Sequence, residues 1–64
     1  MPHPLKLERF LRDLSQVRLA QMAGLRQDII SLIETGRRVA RPQESEAIAR
    51  VLEVSPDEIF PAQT

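Results

Sequence analysis

The chain has only two glycines, Gly24 and Gly36, and each closes a short helical pattern. Ahead of Gly24, Leu19, Ala20 and Ala23 share one face, and Ser15 stands where an N-cap side chain accepts from the first turn. Ahead of Gly36, Ile30 and Ile33 mark the inner side of a further helix. Glycine, lacking a Cβ, takes up the left-handed conformation that ends a helix at little steric cost. The pattern predicts one helix over about 16–23 and another over about 27–35. Their connection through Gly24 and Leu25 is too short to lay them antiparallel, so they cross steeply and the second projects a face outward. With Leu25, Ile30 and Ile33 anchored inward, that face presents Arg26, Gln27, Asp28, Ser31 and Leu32, with Ile29 partly covered.

The flanking segments are helical too. Leu7, Phe10, Leu11 and Leu14 recur at i, i+3, i+4 and i+7, which predicts an amphipathic helix over roughly 5–13 with this stripe inward. Residues 1–4 read as a frayed tail. Arg37-Arg38-Val39-Ala40-Arg41 is a basic loop. Pro42 fits the first turn of a fourth helix, with Glu44 and Glu46 near its positive end and Ile48, Ala49, Val51 and Leu52 on its apolar face. Ser55-Pro56-Asp57-Glu58 has the form of a capping box, and Ile59 and Phe60 then plug the core from a short last helix. No two-residue period appears, so the expectation is an all-α domain of five short helices spanning residues 1–64.

Composition limits the chemistry. There is no Cys, and the single His3 lies between two prolines, so neither a disulfide nor a metal site is expected, nor any cofactor or small-molecule ligand. No apolar run approaches the ~18 residues of a membrane span and no signal-peptide pattern precedes the first charge, which points to a cytoplasmic protein. The zero net charge hides an asymmetry. Residues 1–41 hold eight basic and four acidic side chains, a balance of +4, whereas residues 42–64 hold one basic and five acidic, a balance of −4. A surface facing a polyanion, backed by an acidic one, would show this division, although charges on a small helical domain also cluster by chance.

The joined pattern resembles the Cro/cI-like (Xre-type) helix-turn-helix repressors. The matching residues are Ser15-Gln16, Leu19-Ala20, Ala23-Gly24-Leu25, Ile30-Ser31, Ile33-Glu34 and Gly36-Arg37-Arg38, followed by Pro42 and the run from Ile48 to Phe60. The resemblance covers residues 5–60. It implies a compact five-helix, lambda-repressor-like DNA-binding domain with its helix-turn-helix at about 16–35. Such a domain would act as a transcriptional repressor, gripping a two-fold operator in double-stranded DNA as a homodimer with helix 27–35 in the major groove.

On that resemblance Gln16 matches a phosphate-contacting position, and Gln27 and Asp28 match base-reading positions. Glutamine pairs with adenine N6 and N7, and aspartate accepts from cytosine N4. Arg26 is a candidate partner that offsets the charge of Asp28. The plainer alternatives are a solvated first-turn residue for Gln16 and a dipole-favoured helix start for Asp28. Ser31 and Leu32 complete the outward face, Leu32 as a contact to a thymine methyl or to a protein. Arg37, Arg38 and Arg41 are candidate phosphate clamps, the alternative being a solvated basic loop. Val54, Ile59 and Phe60 are candidates for the dimer surface, with core packing as the alternative.

Departures from the family pattern are also legible. Arg26 replaces the usual Ser or Thr cap of the recognition helix, at a cost of ~1 kcal/mol. Arg18 leaves the second helix's capping box incomplete. Glu44 and Ser45 stand where more apolar residues are usual. An Arg–Glu34 pair is expected to tie the first helix to the third, with Arg9 and Arg12 equally eligible.

The second functional class is a protein-interaction module, antitoxin-like or regulator-binding, that keeps this scaffold without binding DNA; Asp28, Leu32 and the zero net charge favour it. No enzyme is expected: Ser15 and Ser31 have no patterned base, and the carboxylates sit at helix starts. Only four residues follow Phe60, which suggests a stand-alone regulator or a piece of a longer one.

Overall fold

The computed structural model describes residues 2–60, and all regular structure among them is helical: α1 (Pro4–Leu11), α2 (Gln16–Ala23), α3 (Gln27–Glu34), α4 (Pro42–Leu52) and α5 (Pro56–Ile59). The helix ends follow local chemistry. Ser15 Oγ accepts from the amide of Arg18 at 3.0 Å and starts α2. Gly24 closes it at φ +71°. Glu58 Oε2 accepts from the Ser55 amide at 2.8 Å, and Glu44 Oε1 from the Arg41 amide at 3.0 Å, so α5 and α4 each have a carboxylate in the first turn folded back onto the cap. Arg26, as expected, makes no side-chain cap at the start of α3.

Three expectations for the first helix fail. Residues 2–4 are not a loose tail: Pro4 opens α1, and His3 Nδ1 caps it by accepting from Leu5 N at 3.0 Å. The His3 ring also meets Phe60, with centroids 6.1 Å apart. Met1 lies outside the described residues. At the other end α1 stops at Leu11 rather than near 13, because Asp13 turns into the left-handed region at φ +53°.

The third correction concerns the face. Leu7, Phe10 and Leu11 point to solvent, and α1 instead buries Leu5 and Arg9. Leu14 alone of the stripe packs against the core, from beyond the helix end. The physical reason is Arg9. Its guanidinium must face Glu34 at the end of α3, and residues four apart on a helix share a side, so Leu5 is carried inward and the Leu7–Leu11 side outward.

The core is aliphatic: Leu5 from α1, Leu19 and Ala20 from α2, Ile30 and Ile33 from α3, Ile48 and Leu52 from α4, and Ile59 from α5. Small Ala20 lies on α2, which packs against both α3 and α4. Ile59 is fully buried, which removes it from any dimer surface; α5 is so short that its one inward side chain is consumed in closing the core. Val54 and Phe60 are half-buried against the same core. Among the described residues no helix is long and apolar enough to cross a membrane.

Candidate nucleic-acid interface

The turn between α2 and α3 crosses the two helices so that Gln16 at the start of α2 reaches both ends of α3. Leu25 N donates to Ala20 O at 2.8 Å beyond Gly24, and Leu25 packs on the core. Ile30 and Ile33, with Ile29 packed beside them, then hold α3 down, so its exposed side chains are Gln27 and Asp28 of the first turn.

Gln16, in the first turn of α2, joins both directions of this arrangement. Its Nε2 donates to Glu34 Oε1 at 3.0 Å, and its Oε1 accepts from Gln27 Nε2 at 3.4 Å. Gln16 is half-buried and Gln27 exposed, so the pair runs from the interior to the surface across the crossing of the two helices. Glu34 is in turn gripped by Arg9, whose Nε and Nη2 donate at 2.7 and 3.0 Å. Arg9 Nη1 donates to the carbonyl of Leu14 at 2.8 Å, which leaves the guanidinium satisfied on three sides. Arg9 and not Arg12 is therefore the partner of Glu34; Arg12 pairs with Glu8 one turn back on the surface. Burial pushes the Glu34 carboxyl up, but the hydrogen bonds from Arg9 and Gln16, with the charges of Arg9 and Lys6, outweigh it and hold the group below the ordinary carboxylate range.

At the outer start of α3, Arg26 Nη2 donates to Asp28 Oδ2 at 3.1 Å with both side chains well exposed. This pairing offsets the Asp28 charge next to any phosphate. Ser31 and Leu32 follow on α3, both half-buried. The amides of Arg37 and Arg38 donate to the Leu32 carbonyl at 2.9 and 3.2 Å, so the chain folds back at Gly36 and the basic loop starts beside α3.

The three loop arginines differ in environment. Arg37 and Arg41 are exposed. Arg38 is paired: its Nη2 donates to Glu44 Oε2 at 2.5 Å and its Nε to Glu44 Oε1 at 3.3 Å. The hydrogen bond from Arg38, opposed by burial and aided by the Arg41 amide, holds Glu44 below the ordinary carboxylate range. Sequence reasoning missed this pair. Its signal was the position of Glu44 on the third residue of α4, where a carboxylate turns back toward the preceding loop.

A family model described as helix-turn-helix matches residues 5–59. The chain belongs to the Cro/cI-type, Xre-like helix-turn-helix family. No curated protein and no solved structure matches it. As a helix-turn-helix DNA-binding regulator, this domain has α2 and α3 as the motif. The match takes in α1 and α4 as well, including both partners of the Arg9–Glu34 pair.

Proposed function

We propose that this helix-turn-helix domain is a sequence-specific repressor of the cytoplasm that binds a two-fold operator as a homodimer, with α3 in the major groove. The observation that carries the reading is the Gln16–Gln27 contact, in which the exposed amide at the start of α3 is braced by a side chain from α2. Gln27 reads a base, and Gln16 with the first turn of α2 contacts phosphate. Asp28, offset by Arg26, accepts from a cytosine amine. Ser31 and Leu32 border the same surface, while Arg37 and Arg41 grip the backbone beside it. Arg38 serves the loop's geometry first, because Glu44 already occupies it. One small domain offers limited contact area, so specificity requires two copies on a symmetric site.

The reading as a protein-interaction module draws support from one observation: exposed Asp28 puts a negative charge on the face that would meet phosphate. Selection of bound sequences from a random duplex pool, with wild type and Gln27→Ala side by side, separates the two. A two-fold consensus that loosens at one base pair in Gln27→Ala supports repression at an operator, and no enriched sequence favours the module. Affinity for the selected site should fall steeply with salt, as phosphate contact requires.

A further inference from the structure

Helix α1 turns its larger apolar side away from the core. At about 100° per residue, Leu7 and Leu11 lie on the side opposite Leu5 and Arg9, and Phe10 borders it with its ring centroid 5.2 Å from the Arg9 guanidinium. They are 48%, 61% and 79% exposed, while Leu5 and Arg9 are buried. The other exposed large apolar residues do not make such a face: Val17 and Met22 are about 140° apart around α2, and Val39 is in the basic loop. Three large side chains on one short helix form a patch of the kind that marks a binding surface.

The charges beside the patch indicate what covers it. Along one edge Glu8 is followed by Arg12, and the two pair within the helix. On the other edge Lys6 lies with its Nζ 5.6 Å from the centroid of the Phe10 ring, and Asp13 follows the end of the helix. Each side therefore changes sign along the helix, one from acidic to basic and the other from basic to acidic. A uniformly basic or acidic partner would satisfy only half of this pattern. A second copy laid antiparallel satisfies all of it, since Glu8 then meets Arg12 of the other copy and Lys6 meets the other copy's helix C-terminus and Asp13. Antiparallel alignment also sets the two helix dipoles in opposition.

We propose that the Leu7–Phe10–Leu11 face is the contact between two copies of this chain, with their α1 helices antiparallel about a two-fold axis near Phe10. It deepens the two-fold reading above by assigning the dimer surface to α1 rather than to the half-buried Val54 and Phe60. An eight-residue helix is about 12 Å long, so the contact is smaller than the roughly 1,000 Å² of a stable interface and the dimer is weak and concentration-dependent.

The test is sedimentation equilibrium of the full chain without DNA, up to about 1 mM, the weak end of specific association. Wild type should show a monomer–dimer equilibrium, and Leu11→Asp should weaken it about thirtyfold or more while keeping the wild-type helical circular dichroism, because Leu11 is 79% exposed. Glu8→Arg and Arg12→Glu should each weaken self-association by about tenfold, and a mixture of the two variants should recover it as a heterodimer. That recovery requires the Glu8–Arg12 edges to face each other. A wild-type monomer at about 1 mM, a dimer undisturbed by Leu11→Asp, or no recovery on mixing overturns the proposal. Because DNA is absent, a failed operator selection and a failed dimer are read separately.

Discussion

Arg9 holds Glu34 through two nitrogens, at 2.7 and 3.0 Å, across 25 residues of sequence, with their side chains only 8% and 3% exposed. This contact fastens α1 to the far end of α3 and sets which side of α1 faces inward. Its role is orientation as much as stability, because taking two charges out of water consumes much of what their attraction returns. Removing one partner is another matter, since the other charge stays buried and unpaired.

Glu34→Ala is therefore expected to lower the unfolding free energy by about 3 kcal/mol. Replacing both partners with apolar residues, as in Arg9→Met with Glu34→Leu, should recover most of that. Urea titration of the two variants checks it, and a melting temperature and DNA affinity unchanged in Glu34→Ala would reduce the pair to a surface contact.

Acid should weaken the fold through the same carboxylate. Glu34 and Glu44 are both held below their ordinary value of 4.5 by their arginine partners. A depressed folded pKa means stability that is full above the unfolded value and drains as pH falls through the folded one. Thermal melts from pH 6 downward should show this loss setting in below about 4.5, and Glu44→Gln should flatten part of it.

His3 acts in the same direction at higher pH. Burial, partly opposed by the charge of Glu34, holds it below its ordinary 6.5, and its Nδ1 must stay unprotonated to accept from Leu5 N. The neutral form thus belongs to the fold, and its stabilisation is complete above about 6.5 and lost as pH falls from there through the folded value. The cap is worth about 1 kcal/mol. His3→Asn should keep the cap and remove the dependence, which amide exchange along α1 between pH 7.5 and 5.5 would report; equal protection at both pH values in wild type would exclude the cap's titration.

The arginines of the basic loop should separate by salt dependence. Arg37→Gln and Arg41→Gln are each expected to reduce the slope of log affinity against log salt by about 1. Arg38→Gln should change the slope little and instead lower the melting temperature, because it strands the buried carboxylate of Glu44. Equal slope losses at all three positions would show that Arg38 leaves Glu44 on binding.

Helix α4 ends on Glu53 at φ +59°, a left-handed position held by an exposed non-glycine residue. Glu53→Gly should stabilise the domain by about 0.5–1 kcal/mol in denaturant titrations, relief of the steric penalty exceeding the added freedom of the unfolded chain. Gly24→Ala should cost about 1 kcal/mol for the converse reason: an added Cβ meets nothing within 4 Å, so the penalty comes from φ +71° itself.

Most of the architecture depended on signals within a few residues, and these were legible. Ser15 with Gly24, Pro42 with Glu44, and Ser55 with Glu58 mark helix ends by hydrogen bonds that reach only three or four positions. The outward face of α3 followed from the same local periodicity, since Ile30 and Ile33 left Gln27, Asp28 and Ser31 to the other side. The sequence by itself thus determined the helix succession, the family and the candidate reading surface. It could not determine the side that α1 buries. The stripe Leu7–Phe10–Leu11 is the more apolar, but periodicity shows only that a helix has two faces. The choice fell to Glu34, a residue 25 positions away that only the tertiary fold brings to Arg9. The same holds for Arg38, whose charge looked free for phosphate until the turn into α4 set Glu44 against it. Local hydrogen bonds and periodicity are written in neighbouring residues, whereas a buried ion pair selects among faces and partners only after the chain has closed on itself.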